Sequence, residues 1–74
     1  MFVGAKVGTD RYRILDANGS EITERACQGV AVESVVGSAT GYVVVSKLHT
    51  GARYMESFEI NNGNVSCIAA KEIG

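Results

Sequence analysis

Two Asn-Gly dipeptides limit what this chain can fold into more than any other feature of its sequence. Asn18-Gly19 and Asn62-Gly63 lie between apolar runs, and the chain has no proline, so glycine and asparagine mark its turns. Asn and Gly tolerate the positive φ angles that a two-residue type I′ hairpin turn needs at both positions. Thr50-Gly51 is a weaker mark of the same kind. The sequence therefore predicts an all-β protein built from hairpins.

The segments between these turns are rich in Val, Ile, Tyr and Phe, as strands are. We expect five or six strands, among them residues 11–15, 30–36, 42–48, 54–60 and 65–70. Residues 19–28 are the one segment with helical character, since Ser20 could cap a short helix there. The Asn18-Gly19 signal favours a hairpin over that helix.

The first predicted hairpin pairs outward from Asn18-Gly19. It places Leu15 opposite Ile22 and Arg13 opposite Glu24, which are an apolar pair and an opposite-charge pair. The same register sets the like charges of Asp16 and Glu21 against each other. A longer loop or a bulge near Asp16 would relieve that conflict.

A chain of 74 residues is long enough for one hydrophobic core. We expect a single small domain over residues 1–74, an antiparallel barrel or rolled sheet of about the size of an SH3 domain, with a three-stranded meander at its C-terminal end. Because such a short chain buries only roughly 60% of its unfolded surface, its monomer has little stability to spare. Self-association or a partner is therefore expected.

Charge and hydropathy narrow the classes of function. Seven basic residues against eight acidic ones give a net charge of −1, which disfavours nucleic-acid binding. No apolar run is long enough for a membrane span, and residues 1–4 lack the basic start of a signal peptide. We expect a cytoplasmic protein in which Cys27 and Cys67 are free thiols packed as small apolar groups.

The strands of the C-terminal half can be paired by treating Thr50-Gly51 and Asn62-Gly63 as two-residue loops. The first loop then pairs Val43 with Phe58 and sets Glu56 opposite Val45, and the second pairs Phe58 with Cys67. Side chains alternate along a strand, so one face becomes an inner, core face. That face carries Val43, Val45, Tyr54, Phe58, Ile60, Val65, Cys67 and Ala69; further pairs predicted are Lys47 with Tyr54, Ile60 with Val65, and Arg53 with Glu72.

The opposite face of this predicted meander is more apolar than a solvated face should be. Either the N-terminal strands or a second copy of the chain would have to cover it. We predict a protein-contact surface there, used by a homodimer, a higher homo-oligomer or a different protein partner, with its anchors at Tyr42, Val44, Leu48, Met55 and Ile68.

A polar cluster at one end of the inner face gives an alternative function. The predicted register brings Glu56 close to Lys47 and Lys71, beside the phenol of Tyr54, with His49 at the adjoining turn. At the mouth of a barrel these groups could bind a small ligand or a nucleotide. They could equally form a salt-bridge network that closes the end of the core.

The sequence shows no metal site and no cofactor site. His49 is the only histidine, and without a second ligand at metal spacing it fits no zinc pattern. Its position beside a turn is typical of a histidine in a solvated loop. Of the functions considered, an enzyme that uses His49 is the least favoured.

Residues 13–22, Arg-Ile-Leu-Asp-Ala-Asn-Gly-Ser-Glu-Ile, resemble the start of many short, uncharacterised phage and prophage proteins. The resemblance covers about ten residues. It implies a small accessory or inhibitor protein that acts by binding a host protein or a phage assembly component, and it brings no catalytic residues with it. The predicted function is accordingly a non-enzymatic protein-binding module.

Overall fold

The computed structural model describes residues 4–74, which form two antiparallel sheets and no helix. Sheet 1 has the strand order β1-β2-β3 and sheet 2 the order β4-β5-β6-β7. The seven strands are β1 (Gly4–Val7), β2 (Arg11–Leu15), β3 (Glu21–Ala26), β4 (Ala31–Gly37), β5 (Gly41–Lys47), β6 (Arg53–Asn61) and β7 (Asn64–Glu72).

The all-β class and the C-terminal meander β5-β6-β7 are confirmed. Of the predicted barrel or rolled sheet, the barrel is wrong because the two sheets do not close, and there are seven strands instead of five or six. The additional strand is β1, whose four residues carry little strand signal. The sheets meet along one side, where the Val32 N–H donates to the Thr9 carbonyl at 2.8 Å. At the other side β3 and β7 each end their sheet, so the structure stays open there.

Two of the three predicted two-residue loops contain three residues. Around Asn18-Gly19 the Asp16 N–H donates to the Ser20 carbonyl, and the Gly19 N–H donates to the Asp16 carbonyl at 3.0 Å. The Asp16 carboxylate also accepts the N–H groups of Asn18 and Ser20. Such a loop ends in a residue of positive φ, here Gly19 at 81°. The predicted lengthening near Asp16 is confirmed.

The loop between β5 and β6 is built in the same way. The Leu48 N–H donates to the Ala52 carbonyl, the Gly51 N–H donates to the Leu48 carbonyl, and Gly51 has a φ of 92°. The loop is therefore His49-Thr50-Gly51, one residue longer than predicted. By contrast, Asn62 and Gly63 have φ angles of 53° and 81° between paired Asn61 and Asn64, which confirms a two-residue type I′ turn.

The additional loop residue shifts the β5–β6 register by one position. Tyr42 pairs with Phe58, and Val44 pairs with Glu56, so the predicted partners Val43 and Val45 are wrong. Since strand side chains alternate, a slip of one residue moves every side chain of β5 to the other face. Lys47 accordingly pairs with Arg53 and Ser46 with Tyr54.

The predicted β6–β7 register is confirmed near the Asn62-Gly63 turn and is wrong beyond a bulge. In β6–β7 the pairs Ile60 with Val65 and Phe58 with Cys67 are confirmed. A bulge beyond Phe58 leaves Ile68 without a partner in the ladder, so Tyr54 and not Arg53 pairs with Glu72.

The hairpin β2–β3 is also confirmed over the alternative helix. It pairs Arg13 with Glu24 as predicted. A bulge between Ile14 and Leu15 sets Leu15 opposite Glu21, so the predicted pairing of Leu15 with Ile22 is wrong.

The core lies between the inner faces of the two sheets. Phe58 is only 3% exposed, and its ring stacks on Tyr42 with centroids 4.9 Å apart and an interplanar angle of 19°. Tyr12 meets Tyr42 edge-on with centroids 5.8 Å apart. Ser46 is the buried polar residue, and its hydroxyl accepts the Gly29 N–H at 3.2 Å. The other fully buried side chains are Ile14 and Val44.

No helix within residues 4–74 has the length and hydropathy to cross a membrane. The prediction about a signal peptide concerns the start of the chain, and residues 1–3 lie outside the described residues.

Candidate functional site

The structure does not bring the predicted ligand-binding residues together. Tyr54 and Glu56 belong to the inner face of β6, because they alternate with the core residue Phe58. Lys47 and Lys71 are exposed on the opposite face of sheet 2, where their neighbours in the ladder are Arg53 and Met55. His49 is exposed in the β5–β6 loop. The polar cluster at a barrel mouth is thus split between two faces of one sheet.

The predicted contact residues also separate. Tyr42 and Val44 are completely buried in the core, where β2 of the same chain covers them, so neither belongs to a contact surface. Of the two covers considered, the N-terminal strands therefore account for this face. Leu48 is half-buried at the β5–β6 loop, and Ile68 is 58% exposed at the bulge of β7. Met55 lies on the outer face of sheet 2.

The outer face of sheet 2 carries an apolar stripe that runs across all four strands. Its members lie on the face opposite the core residues Tyr42, Val44 and Phe58, and sheet 1 packs on the core side of the sheet. Val36, on β4, is 59% exposed. We call this set the outer stripe; it consists of Val36, Val43, Val45, Met55 and Ala69.

Charges of opposite sign lie at the two ends of the outer stripe. Lys47 pairs with Arg53 at one end, and Lys71 lies beside Met55 near it. Glu59 lies at the other end, opposite Gly41. The Glu33 carboxylate approaches the Arg53 guanidinium at 4.0 Å, which is a weak exposed ion pair. The face therefore has a basic end and an acidic end.

Two buried tyrosines, Tyr12 and Tyr42, form a titratable pair in the core. The Tyr12 and Tyr42 hydroxyls are 3.4 Å apart, and the Arg25 guanidinium lies 5.0 Å from the centre of the Phe58 ring. Burial raises the pKa of both tyrosines, and for Tyr12, whose pKa lies well above the ordinary value, the hydrogen bond to Tyr42 adds to the rise. The negative charge of Glu56 also raises both pKa values, while Arg25 lowers them. Both phenols thus stay protonated in the folded protein.

Stability is expected to fall at alkaline pH because of this tyrosine pair. In the unfolded chain the phenols ionise near pH 10, whereas the folded state holds their protons. The contribution is complete below about pH 10 and is lost as the pH rises above it. Denaturant unfolding across this range measures the slope. Tyr12→Phe should flatten the slope, and an equal slope in both proteins would contradict the assignment.

The two cysteines are free. Cys27 is half-buried and donates to the Gly29 carbonyl at 3.2 Å, and burial raises the pKa of its thiol. Cys67 is exposed, so the expectation that both thiols pack as apolar groups is wrong for Cys67. It lies on the inner face of β7 because it pairs with Phe58.

Two shallow clefts lie elsewhere. A cleft of about 250 Å³ lies on sheet 1, near Arg11 and Arg13, whose guanidinium groups approach the Glu24 carboxylate at 3.6 Å. A second cleft, of about 430 Å³, lies beside the β4–β5 turn. Neither is lined by the predicted ligand-binding residues. Within residues 4–74 no three His, Cys, Asp or Glu side chains are placed to hold a metal ion.

Comparison of the chain with protein-family models, with curated proteins and with solved structures found no match. The resemblance of residues 13–22 to phage and prophage proteins therefore stays a prediction. What the protein does has to be argued from its own surfaces, and the outer stripe is an apolar surface that the fold leaves outside the core.

Proposed function

We propose that the chain is a non-enzymatic protein-binding module whose contact surface is the outer stripe of sheet 2. The observation that supports this most is that five apolar side chains cross the four strands of sheet 2 on the face that sheet 1 does not cover. In an antiparallel sheet with one solvated face, the outer positions are polar. A contiguous apolar surface is typical of a contact site.

The composition of the outer stripe suits a protein partner more than a small ligand. Its centre is aliphatic and includes Met55, a flexible side chain that adapts to irregular surfaces. Its ends carry charges, so the surface has the apolar centre and polar rim of a protein interface. Small-ligand sites are concave, whereas this is the face of an open sheet.

The alternative of a small-ligand or nucleotide site has lost its geometric basis. It required Glu56 to lie between Lys47 and Lys71, but Glu56 lies on the inner face of sheet 2 and both lysines lie on its outer face. Binding to another protein is also what the resemblance of residues 13–22 implies. A phage-type accessory or inhibitor role agrees with the proposal, and its target is a protein.

The proposal is tested with Val36→Lys and a matched control, Val7→Lys. Both valines are exposed, 59% and 51%, so both variants should fold and melt like the wild type. Val7 lies on sheet 1, away from the outer stripe. A lysine placed in a contact surface loses its water without gaining a partner, so Val36→Lys should weaken association by about tenfold or more. Val7→Lys should not.

Association is measured by sedimentation of the purified protein over a wide concentration range, together with capture of a stoichiometric protein from a lysate. Either self-association or capture of another protein supports the proposal if Val36→Lys abolishes it and Val7→Lys does not. An equal response of the two variants, or a wild-type protein that binds nothing, would overturn the proposal.

A further inference from the structure

We propose that the outer stripe is occupied by a second copy of this chain, packed face to face with its strands reversed, so that Arg53 of each copy meets Glu59 of the other. This inference rests on the proposed function and names its partner. It follows from the order of the residues along β5 and β6 and from the charges at the two ends of the stripe.

Four consecutive rows of paired residues define this surface on the two central strands. A basic row comes first, an acidic row comes last, and the two rows between them are apolar or uncharged. In order, the rows are Lys47 with Arg53, Val45 with Met55, Val43 with Ser57, and Gly41 with Glu59. The pattern is therefore a short apolar centre between opposite charges.

Two copies that face each other through this surface can be related by a two-fold axis in one of two directions. An axis parallel to the strands lays each row on the same row of the other copy. The basic row would then face the basic row, and like charges across an interface are unfavourable. An axis perpendicular to the strands lays the first row on the last. Arg53 then faces Glu59 twice, and the apolar rows cover each other.

The second arrangement makes the face complementary to itself, which a two-fold interface requires. Sheets stack about 10 Å apart with their strands within about 30° of each other, so the reversal brings the end rows together while the valines and Met55 fill the centre. The existing Glu33 contact to Arg53, at 4.0 Å and exposed, leaves the guanidinium open to a second carboxylate. A different protein partner would not need opposite charges at the two ends of one stripe.

The inference is tested by reversing these charges in the full chain. Arg53→Glu sets acid against acid and Glu59→Arg sets base against base, so each variant should raise the dimer dissociation constant by about tenfold or more. The double variant restores both ion pairs and should return to about the wild-type value. An equimolar mixture of the two single variants should form a mixed dimer for the same reason. All are measured by sedimentation equilibrium.

Arg11→Glu is the control for Arg53→Glu, because it makes the same change of net charge at an exposed arginine of sheet 1 and should leave the dimer intact. Melting temperatures verify that every variant is folded. A monomeric wild type, or a double variant that dissociates as readily as the single ones, overturns the second copy as occupant. If the second copy is overturned but Val36→Lys still abolishes capture of a different protein, the proposed protein-binding function stands without the dimer. If Val36→Lys abolishes neither self-association nor capture, the proposed function and the dimer both fail.

Discussion

Phe58→Ala is expected to remove most of the free energy of unfolding of the protein. The ring is 3% exposed, stacks on Tyr42 and lies under the Arg25 guanidinium, so truncation removes both of these contacts. Truncating a buried phenylalanine costs about 3–5 kcal/mol. A domain this small lies near the lower end of the usual stability range, about 5 kcal/mol. Circular dichroism during denaturant unfolding measures the loss.

Ile68→Ala is the matched control for this prediction. Ile68 lies one residue beyond Cys67, the ladder partner of Phe58, but it is 58% exposed at the bulge. Its truncation should change the free energy of unfolding by no more than about 0.5 kcal/mol. If both variants unfold at the same denaturant concentration, Phe58 does not anchor the core.

The importance of Phe58 could be predicted from the sequence, but its neighbours could not. An aromatic residue in the middle of a β-rich segment is a core candidate in either register, and pairing with Cys67 follows from the nearby Asn62-Gly63 turn. Its other partner, Tyr42, depends on the loop after β5. The dipeptide Thr50-Gly51 shows that a residue of positive φ is needed, but not how many residues precede it in the loop.

A signal for loop length does exist at the first hairpin. Asp16 accepts the N–H groups of Asn18 and Ser20, and an aspartate two residues before an asparagine is suited to this local turn. That carboxylate distinguishes the three-residue loop from the type I′ turn at Asn62-Gly63, where Ile60 and not Asp lies two residues before the asparagine. No such side chain marks the loop at His49.

The outer stripe was missed because β5 is apolar on both faces. Its run Tyr42-Val43-Val44-Val45 has no alternation, so periodicity could not assign Val43 and Val45 to the core or to the surface. The loop alone decided the register, and the longer loop reversed the assignment. The prediction that one sheet face serves as a contact surface survives as a proposal, with Val43 and Val45 in place of Tyr42 and Val44.

Gly41→Ala is expected to be the most damaging loss of a glycine. Gly41 begins β5 opposite Glu59, and a Cβ built there would overlap the Phe58 carbonyl oxygen and lie 2.9 Å from the Glu59 Cα. Both are backbone atoms of β6, so no side chain can rotate away. The two strands would have to separate just where Phe58 packs. Overpacking of this kind costs about 1–3 kcal/mol or more.

Gly4→Ala provides the matched control, and its effect should have the opposite sign. Gly4 lies in β1, and a Cβ there would meet no atom within 4 Å. Alanine restricts the unfolded chain more than glycine does, so this variant should gain up to about 0.5–1 kcal/mol. Thermal and denaturant unfolding of both variants measure the difference. A Gly41→Ala protein as stable as Gly4→Ala would mean that β5 and β6 do not approach each other closely at Gly41, and the register that places Tyr42 in the core would lose its support.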